Sequence, residues 1–424
     1  MTQWPREGRL ARKTDLQTND CGILKNGHEK TPDESHAVPQ ATGPGYDLAA
    51  WRRQIPLLDT FIPLNNCSQG PQTERTRAAA ETYLASWNRN GMDWETWIDE
   101  VNRARAAFAK LINASPDEVA VTTSVSAATV SLASALDFTG PRNKVVVTEA
   151  EFPTVGHVWL AHQRYGARLT WVPLEDGRIP LEAYDAAIDA HTQIVSVCHG
   201  YYLNGFQQDL GAIARRAHAH GTWLYVDAYQ TLGTCPVDVK ALDVDFLSAG
   251  TLKYLMGTPG IAFLYIRPDL LERLHPAATG WLGRIDPFAF QVRTLDWAPT
   301  ARRFDTGTPP VLSAYIARAG MALIDEVGPA HIRAWTKQLS RLLIDGGRER
   351  GMILHGTTDV RQKTPSTAFV CPGNAYAVEA RLRERGVLAS ARGPVIRLAP
   401  HFYNTPEDVN FALDVLADIL GRTL

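Results

Sequence analysis

The chain has 424 residues, of which 45% are hydrophobic and 21% are charged, and this ordinary composition predicts a globular protein of two or three domains. Its net charge of -2 provides no basic field, which argues against binding to nucleic acid or to an anionic membrane surface. The sequence also lacks any apolar run of about 18 residues, so we expect no transmembrane helix.

The cysteines and the N-terminal sequence indicate the compartment. The five cysteines are scattered along the chain, and no close pair has the spacing of metal ligands. The odd count and the wide spacing predict reduced thiols, with neither a disulfide framework nor a metal site. The first residues, MTQWPREGRLARKTD, lack an apolar core of signal-peptide length. We therefore expect a cytoplasmic protein.

The N-terminal part of the chain is polar. Residues 1–45 are rich in Pro, Gly, Thr and charged residues and lack periodicity, so we predict a mobile tail. After a short predicted helix, the sequence IPLNNCSQGP has small and amide side chains that allow a ligand to approach the backbone closely. Asn65 and Asn66 are candidate substrate contacts, and a simple loop before a helix is the alternative interpretation. Two amphipathic helices are predicted over residues 74–88 and 94–112.

Strand-like runs begin at Val119 and alternate with helical segments. The runs are VAVTTS, KVVVTEAEF, RLTWVPL, TQIVSVCH, TWLYVDA, VDFLSAG and IAFLYIR, and predicted helices over residues 181–190 and 210–220 separate several of them. This alternation predicts an α/β fold with a mostly parallel sheet that helices cover on both faces.

The C-terminal part has a different pattern. Two helices are predicted after Pro310, and they are followed by the strand-like runs STAFVCP and VIRLAP and by a last helix over residues 406–420. We therefore expect a large domain over residues 46–310, whose segment 46–90 contributes to the small domain. The small α+β domain is expected over residues 311–424.

The segment Trp223–Gly260 contains the strongest chemical signal. A strand-like run ends at the carboxylate Asp227, and 26 residues later Lys253 lies between Gly250 and Gly257. Desolvation there would lower the pKa of the lysine amine and make it a nucleophile. We predict that Lys253 binds pyridoxal phosphate as a Schiff base and that Asp227 keeps the ring nitrogen of this cofactor protonated. The alternatives are a surface lysine and a helix-capping aspartate.

Eight of the nine lysines are less suited to this role. Some belong to the predicted tail, and one begins a strand. Four are expected at the surface because their neighbours are polar or helical, namely Lys110, Lys240, Lys337 and Lys363. Gln230 lies three residues after Asp227 and is a candidate hydrogen-bond partner for a ring substituent of the same cofactor.

The cofactor phosphate requires an anion site, and the turn from Thr123 to Ser126 offers one. It joins a strand to a helix rich in Ala and Ser, so free backbone N–H groups and the positive end of the helix are available to an anion. Ser126 adds a hydroxyl, and Thr251 and Thr308 are further candidate phosphate contacts. Many α/β proteins have such a junction, so the signal is not specific by itself.

Two further residues complete the predicted site. Phe152 follows a strand, where an aromatic ring can stack on a flat cofactor, although a core phenylalanine is the commoner explanation. Arg397 lies on a late strand, and its planar guanidinium suits a substrate carboxylate, with a surface ion pair as the alternative. The segment 280–283, GWLG, is a candidate lip of the substrate pocket.

Together these motifs resemble the class V aminotransferase family of fold type I pyridoxal-phosphate enzymes. The resemblance covers residues 64–416 and is most specific in YVDAYQTLG, DFLSAGTLKYLMGTPG, RRFDTGTPP and IRLAPHFYNTPEDV. It implies a large domain with a mostly parallel seven-stranded sheet between helices, together with a small α+β C-terminal domain. Family members are typically homodimers with active sites at the interface, so a two-fold homodimer with shared sites is implied.

The resemblance also implies a role for each candidate residue. Lys253 would form the Schiff base, Asp227 would pair with the pyridine nitrogen, and Gln230 would contact the ring hydroxyl. Phe152 would stack on the ring, where many relatives have a histidine, and Arg397 would bind the substrate α-carboxylate. The implied phosphate contacts are Ser124, Val125, Ser126 and Thr251, with Thr308 reaching a phosphate that usually belongs to the other subunit.

The branch of the family is harder to assign. Cysteine desulfurases have a catalytic cysteine on a mobile loop shortly before the late arginine strand, but this chain reads GVLASARGPVIRLAP there, which argues against desulfuration. The sequences FPT and GWLG are similar to kynureninase. The sequences LNNCSQGP and HFYNTPED are more similar to the isopenicillin N epimerase and cysteine C–S lyase branch.

These likenesses favour a C–S β-lyase that acts on an S-substituted cysteine, an amino-acid substrate. The resemblance implies an external aldimine and a quinonoid, with Lys253 as the base that removes the α-proton. The alternatives are an aminotransferase, a kynureninase-like cleavage, an epimerase, and a decarboxylating or oxidative-deamination variant in specialised metabolism. A binding protein that senses the cofactor is a hypothesis of another class, and the sequence shows no DNA-binding module that would support it.

Overall fold

The computed structural model describes residues 43–421, so the predicted tail lies outside the described residues except for its last three positions. The helices are α1 (Leu48–Arg52), α2 (Glu74–Asn90), α3 (Trp94–Leu111), α4 (Val125–Ser134), α5 (Pro153–His162), α6 (Glu182–Ala187), α7 (Leu210–His218), α8 (Val311–Val327), α9 (Pro329–Glu349), α10 (Ala375–Glu384) and α11 (Pro406–Ile419). The strands are β1 (Ile62–Pro63), β2 (Val119–Thr122), β3 (Lys144–Thr148), β4 (Arg168–Val172), β5 (Thr192–Cys198), β6 (Trp223–Asp227), β7 (Phe246–Gly250), β8 (Ala262–Ile266), β9 (Leu354–His355), β10 (Thr367–Val370), β11 (Val387–Leu388), β12 (Ser390–Arg392) and β13 (Val395–Leu398).

The largest sheet has seven strands in the order β2-β8-β7-β6-β5-β3-β4. The neighbours from β4 to β7 pair in parallel, and β8 is antiparallel to both of its neighbours. The predicted α/β fold with a mostly parallel seven-stranded sheet is therefore confirmed. All of its strands except β4 are largely buried, which is typical of parallel sheets with both faces covered.

Alternate side chains of each strand belong to two separate hydrophobic cores. In β6, Leu224 and Val226 pack with residues of α3, α7 and α8, whereas Tyr225 packs with residues of α4 and α5. Helix α5 was not predicted from the sequence, and it begins at Pro153, whose fixed φ suits the first helical position. Among the described residues, no helix is long and apolar enough to cross a membrane.

The C-terminal half contains a second sheet of four strands, in the order β12-β13-β10-β9. Ala391 of β12 and Ile396 and Leu398 of β13 form its core together with α9, α10 and α11. The N-terminal segment joins this half, because β1 pairs in parallel with β11 and Leu64 belongs to the same core. The contribution of residues 46–90 to a separate small domain stays a prediction.

Helix α8 connects the two halves. It lies in the part of the chain expected to form the small domain, but Ala314, Tyr315 and Met321 pack into the core of the seven-stranded sheet. Both halves belong to one compact unit of the described chain. The division into a large and a small domain at residue 310 therefore remains a proposal.

The connections of the large sheet bring several chemical groups to one edge. Strands β2, β3, β5, β6 and β7 run in the same direction, so the residues that follow them lie at the same side of the sheet. The residues at or just after these strand ends are the start of α4, Phe152, Cys198, Asp227 and the loop of Lys253. Ligands of open α/β sheets bind outside this carboxyl edge.

Candidate active site

A cavity of about 310 Å³ lies at this edge of the sheet. It brings together seven of the residues predicted from the sequence, namely Ser124, Val125, Ser126, Phe152, Asp227, Gln230 and Lys253. Tyr202, Tyr229, Ser68 and Cys198 also line it and were not predicted. The other candidates, Asn65, Asn66, Thr251, Thr308 and Arg397, do not line the cavity itself.

Lys253 lies on the loop that follows β7. Its Nζ atom is 4.1 Å from the ring centroid of Tyr229 and 5.9 Å from that of Phe152. Burial lowers the pKa of the amine to about 8, the charge of Asp227 opposes this shift, and the nearby positive charges of Arg397 and Arg392 lower the pKa further. The uncharged, basic form of the amine is therefore more populated near neutral pH than in an ordinary lysine.

The close packing of Tyr229 depends on a glycine at the end of β7. A Cβ atom at Gly250 would lie 2.3 Å from the Tyr229 ring, so any larger residue would displace this ring. Glycine permits such a close approach, and the Tyr229 ring in turn packs against the Lys253 amine. Gly250 is one of the two glycines that flank Lys253 in the sequence.

Asp227 is the last residue of β6, and only 7% of it is exposed. Its Oδ1 atom accepts a hydrogen bond of 2.9 Å from the backbone N–H of Tyr229. Burial raises the pKa of this carboxyl, while the Tyr229 N–H and the charge of Lys253 lower it. A buried carboxylate is stabilised by a cationic or strongly donating partner, and a protonated ring nitrogen in the cavity is such a partner.

A second buried carboxyl lies behind Asp227 and was not predicted. Oε1 of Glu151 accepts a hydrogen bond from the Thr148 hydroxyl, and its Oε2 has no partner among the described residues. Burial, followed by the charge of Asp227, raises the pKa of Glu151 well above its ordinary value. Burial and the charge of Asp227 therefore both favour the protonated, neutral form of Glu151.

The N-terminus of α4 forms another wall of the cavity. The Ser124 hydroxyl caps the helix by accepting from the N–H of Ala127 at 3.0 Å, and the Ser126 hydroxyl is 3.0 Å from that of Thr154. The first N–H groups of a helix have no intrahelical acceptor, and they attract anions together with the helix dipole. This ten-residue helix therefore presents a suitable site for a phosphate group.

Two predicted phosphate contacts lie outside the cavity. Thr251 is fully buried, and its hydroxyl donates to the carbonyl of Thr258 at 3.1 Å. Thr308 is exposed and lines a separate cavity of about 190 Å³, which shares Thr123 with the main cavity. Within one chain, therefore, neither hydroxyl lines the main cavity.

Arg397 lies directly behind the cavity wall and is 1% exposed. Its guanidinium donates to the carbonyl of Tyr202 at 2.6 Å, to the hydroxyl of Ser68 at 3.0 Å and to the hydroxyl of Ser390 at 2.7 Å. Its described acceptors are all neutral oxygens, so the buried positive charge lacks a carboxylate partner within the described chain. An anion that enters past Tyr202 and Ser68 would supply this partner.

The structure assigns Asn66 a different role from the predicted substrate contact. Its side chain is fully buried, its Nδ2 donates to the carbonyl of Ala399 at 2.8 Å, and its Oδ1 accepts from the Tyr403 hydroxyl at 2.8 Å. Both groups of the amide are therefore used to join the N-terminal segment to the end of β13. Asn65 forms a backbone bridge with Ala399.

The interpretation of Lys363 as a surface lysine was wrong. It is 1% exposed, and its Nζ donates to the carbonyl of Ser366 at 2.7 Å and to the hydroxyl of Thr367 at 3.0 Å. Burial lowers its pKa to about 7. Its polar neighbours in the sequence suggested exposure, but Lys363 is buried where residues 362–364 pair with residues 205–207.

Comparisons with known proteins identify the family. The model of the family described as aminotransferase class-V matches residues 70–409. This chain belongs to the class V aminotransferase family. An uncharacterized aminotransferase of Bacillus subtilis is 40% identical over 367 residues, which cover 87% of this chain and 96% of the relative.

A more distant relative and a solved structure with the same fold have different names. A kynureninase of Pseudomonas fluorescens is 28% identical over 398 residues, which cover 88% of this chain and 93% of the relative. The solved structure of a cysteine desulfurase from Thermococcus onnurineus has a TM-score of 0.80 at 22% identity, covering 88% of this chain and 98% of that chain. The latter likeness confirms the fold.

Membership of the class V family makes this chain a pyridoxal-phosphate enzyme, and its cavity fits the cofactor. The N-terminus of α4 suits the phosphate, and the buried carboxylate of Asp227 suits a protonated ring nitrogen. The amine of Lys253, lowered in pKa by burial, suits the aldehyde carbon. Phe152 is 45% exposed and lines the cavity, which is consistent with a residue that covers a flat ring.

Proposed function

We propose that this class V enzyme is a C–S β-lyase that acts on S-substituted cysteine. The observation that carries the proposal is a site with a lysine base and no nucleophilic thiol. The hairpin of β12 and β13 has no cysteine. The cavity thiol of Cys198 donates to the carbonyl of Ala150, and burial raises its pKa well above the ordinary value. Elimination of a thiolate needs a base at Cα and no protein nucleophile.

Each residue of the cavity has a separate task in this proposal. Bound pyridoxal phosphate supplies an aldehyde for the substrate amine and a ring that accepts electrons from Cα. Lys253 takes the proton from Cα, and its pKa of about 8 leaves part of the amine uncharged near neutral pH. Asp227 holds the proton on the ring nitrogen, and Arg397 orients the α-carboxylate from behind Tyr202 and Ser68.

The remaining predicted contacts have roles consistent with their positions. Phe152 covers one ring face, and Gln230, whose Nε2 donates to the carbonyl of Cys67 at 2.9 Å, keeps its amide oxygen for the ring hydroxyl. Thr251 supports the loop of Lys253 through its bond to Thr258. The phosphate contacts within the chain are those of the α4 N-terminus, Ser124, Val125 and Ser126.

We also propose a homodimer in which the exposed Thr308 reaches the phosphate of the other subunit. The apolar side chains near this turn support an interface, because Phe290 is 75% exposed and Val292 is 95% exposed. We propose a cytoplasmic location, which is supported by the four cysteines in residues 43–421, all free and buried.

Transamination is the second candidate function. The specific observation in its favour is the 40% identity to a Bacillus subtilis protein named as an uncharacterized aminotransferase. In support of the lyase, a cystine C–S lyase solved with its product cysteine persulfide has the same fold, with a TM-score of 0.80 at 20% identity. The two reactions differ in one requirement, since transamination needs a keto acid as a second substrate.

This difference provides the test. The holoenzyme is incubated with S-methyl-L-cysteine, with and without a keto acid, and pyruvate, ammonia and thiol are measured. Equal amounts of all three without a keto acid are the expected result. Amino transfer that occurs only with a keto acid would contradict the lyase and support transamination. The Lys253→Ala variant is the control that should release none of the three products.

A further inference from the structure

Arg392 lies near the candidate active site, but it is not one of the residues assigned to the cofactor or to the substrate α-carboxylate. Strand β12 is antiparallel to β13, with Ser390 opposite Arg397 and Arg392 opposite Val395. Side chains alternate between the two faces of a strand, so Arg392 shares a face with Ser390 and Arg397. The intervening Ala391 packs into the opposite core of α9, α10 and α11. Arg392 therefore faces the cavity side of the sheet, as Arg397 does.

The guanidinium of Arg392 lacks an acidic partner in the described chain. Among the described residues its hydrogen-bond acceptor is the neutral carbonyl of Ala391, 2.8 Å from Nη1, and the side chain is half-buried. By contrast, the half-buried Arg318 and Arg350 form ion pairs with Glu100 and Asp414. A partly desolvated guanidinium without a carboxylate is a ready site for an anion.

The position of this charge relates it to the substrate. The positive charges of Arg392 and Arg397 both act on the amine of Lys253, so both lie within electrostatic reach of the reacting groups. In the proposed function, Arg397 is neutralised by the α-carboxylate of the substrate. The charged side chains that line the cavity, Asp227 and Lys253, are already assigned to the cofactor. The charge of Arg392 then remains for another part of the substrate.

We propose that Arg392 binds a second anionic group, a carboxylate or sulfonate at the end of the substrate side chain. This inference rests on the proposed function and specifies its substrate class as an S-substituted cysteine with an anionic substituent. Arg392 and Arg397 are diagonal neighbours on adjacent antiparallel strands, about 7–8 Å apart, which is comparable to the separation of the two carboxylates of an extended dicarboxylic amino acid. The flexible arginine side chain accommodates small differences in this distance.

The test compares two substrates of similar size. S-Carboxymethyl-L-cysteine has the second carboxylate, and S-propyl-L-cysteine lacks it. We expect the holoenzyme to have the lower KM for the carboxymethyl compound. Arg392→Gln should raise this KM by about 10- to 100-fold, as expected for a lost charge-assisted hydrogen bond. The KM for the propyl compound and the kcat for both should change by less than about threefold, within the range of a surface substitution.

Two variants separate recognition from a general loss of charge. Arg392→Lys keeps the charge and should recover part of the loss. Arg385→Gln removes a charge from the same half at an exposed ion pair with Asp418 and should leave both KM values unchanged. Equal effects of Arg392→Gln on both substrates, or no effect on either, would overturn the proposal while leaving the lyase function intact.

A binding measurement decides the question without turnover. Glutarate has two carboxylates and no amine, and butyrate is its monocarboxylate counterpart. Titration calorimetry of the holoenzyme should give tighter binding of glutarate than of butyrate, and Arg392→Gln should abolish the difference. If neither cysteine derivative is cleaved, the proposed lyase fails, and the glutarate arm still decides the role of Arg392. Equal binding of the two acids to the unaltered enzyme would contradict that role.

Discussion

Lys253 and Asp227 are both held away from water, and burial acts on their pKa values in opposite directions. The pKa of the lysine amine falls to about 8, and that of the aspartate carboxyl rises. Each side chain partly offsets the cost of burying the other, since their charges attract. The two residues therefore stabilise each other as a nucleophilic amine and a carboxylate in the same cavity.

The first prediction concerns the charge of Asp227. Asp227→Asn removes the carboxylate that would hold a proton on the ring nitrogen, so kcat should fall by about 100-fold or more, as for other losses of preorganised charge. Cofactor absorbance should remain, because the phosphate site and Lys253 are intact. The measurement is kcat together with the visible spectrum.

Glu151→Gln is the matched control for Asp227→Asn. Since burial favours the neutral form of Glu151, this substitution should change the shape of a buried side chain more than its charge. It should retain most of the turnover. Unchanged kcat in Asp227→Asn would show that another carboxylate has the proposed role.

The sequence predicted those site residues whose burial can be inferred from the residues next to them in the chain. Asp227 ends an apolar run, and Lys253 lies among small residues, so their burial follows from adjacent residues. The bonds of Asn66 depend on the distant residues Ala399 and Tyr403, and the burial of Lys363 depends on pairing with the distant Phe206. Such contacts leave no local pattern in the sequence, and for this reason the burial of Lys363 was not predicted.

At the scale of elements, the loop after β7 is held by close backbone contacts. Gly233 has a φ of +100°, and a Cβ atom there would lie 2.1 Å from the carbonyl oxygen of Tyr254, the residue after Lys253. Neither the conformation nor the space admits a side chain. The turn that follows Asp227 therefore supports the position of Lys253.

The second prediction follows from this contact. Gly233→Ala should lower the free energy of unfolding by about 2 kcal/mol or more, from backbone strain and overpacking together, and should reduce cofactor occupancy. Urea unfolding and absorbance titration measure the two effects. Gly140→Ala is the control, because a Cβ at Gly140 has no neighbour within 4 Å. Equal stability of the two variants would contradict the proposed support.

The third prediction concerns the opposite edge of the sheet, where α7 is joined to β6 and β7. Nε2 of His218 is 2.8 Å from Asp245, and its Nδ1 is 2.9 Å from Asp243, while Arg267 also contacts both carboxylates. The hydrogen bond to Asp245 is the main cause of the raised pKa of His218, and partial burial opposes it. The protonated form is therefore favoured in the folded chain.

The sign of the pH effect follows from the raised pKa. The stabilisation is fully present below the unfolded pKa of about 6.5 and is lost as pH rises through the higher folded pKa. His218→Gln should therefore destabilise the protein more at pH 6 than at pH 8.5, by about 1 kcal/mol or less because the pair is partly exposed. A difference that is independent of pH would show that the ring acts only through packing.

At the scale of the whole molecule, the fold was more predictable than the site. Alternating strand and helix patterns predict the sheet, because the buried strands β3, β5, β6 and β7 are mostly apolar, with single serines inside β5 and β7. Helix α8 was predicted as an element, but its packing against α2 and α3 was not, because an apolar stripe does not specify its partner. Whether α8 belongs to the large or to the small domain depends on the helices against which it packs.

The fourth prediction is the homodimer. The monomer mass is 46.7 kDa, and light scattering of the holoenzyme should give twice this value. The exposed apolar side chains Phe290 and Val292 supply the reason, because isolated subunits would present them to water. A Thr308→Ala dimer should bind pyridoxal phosphate more weakly than the unaltered dimer. A stable, fully active monomer would contradict the shared site.

The most direct test of the central claim is to locate the covalently bound cofactor. The holoenzyme is reduced with borohydride, digested and analysed by mass spectrometry. We predict the mass of the reduced cofactor on the peptide of Lys253 alone, with the visible absorbance lost in Lys253→Ala. Lys363, the other buried lysine of lowered pKa, is the internal control. A tag on Lys363, or a protein that stays colourless and untagged with added pyridoxal phosphate, would contradict the account.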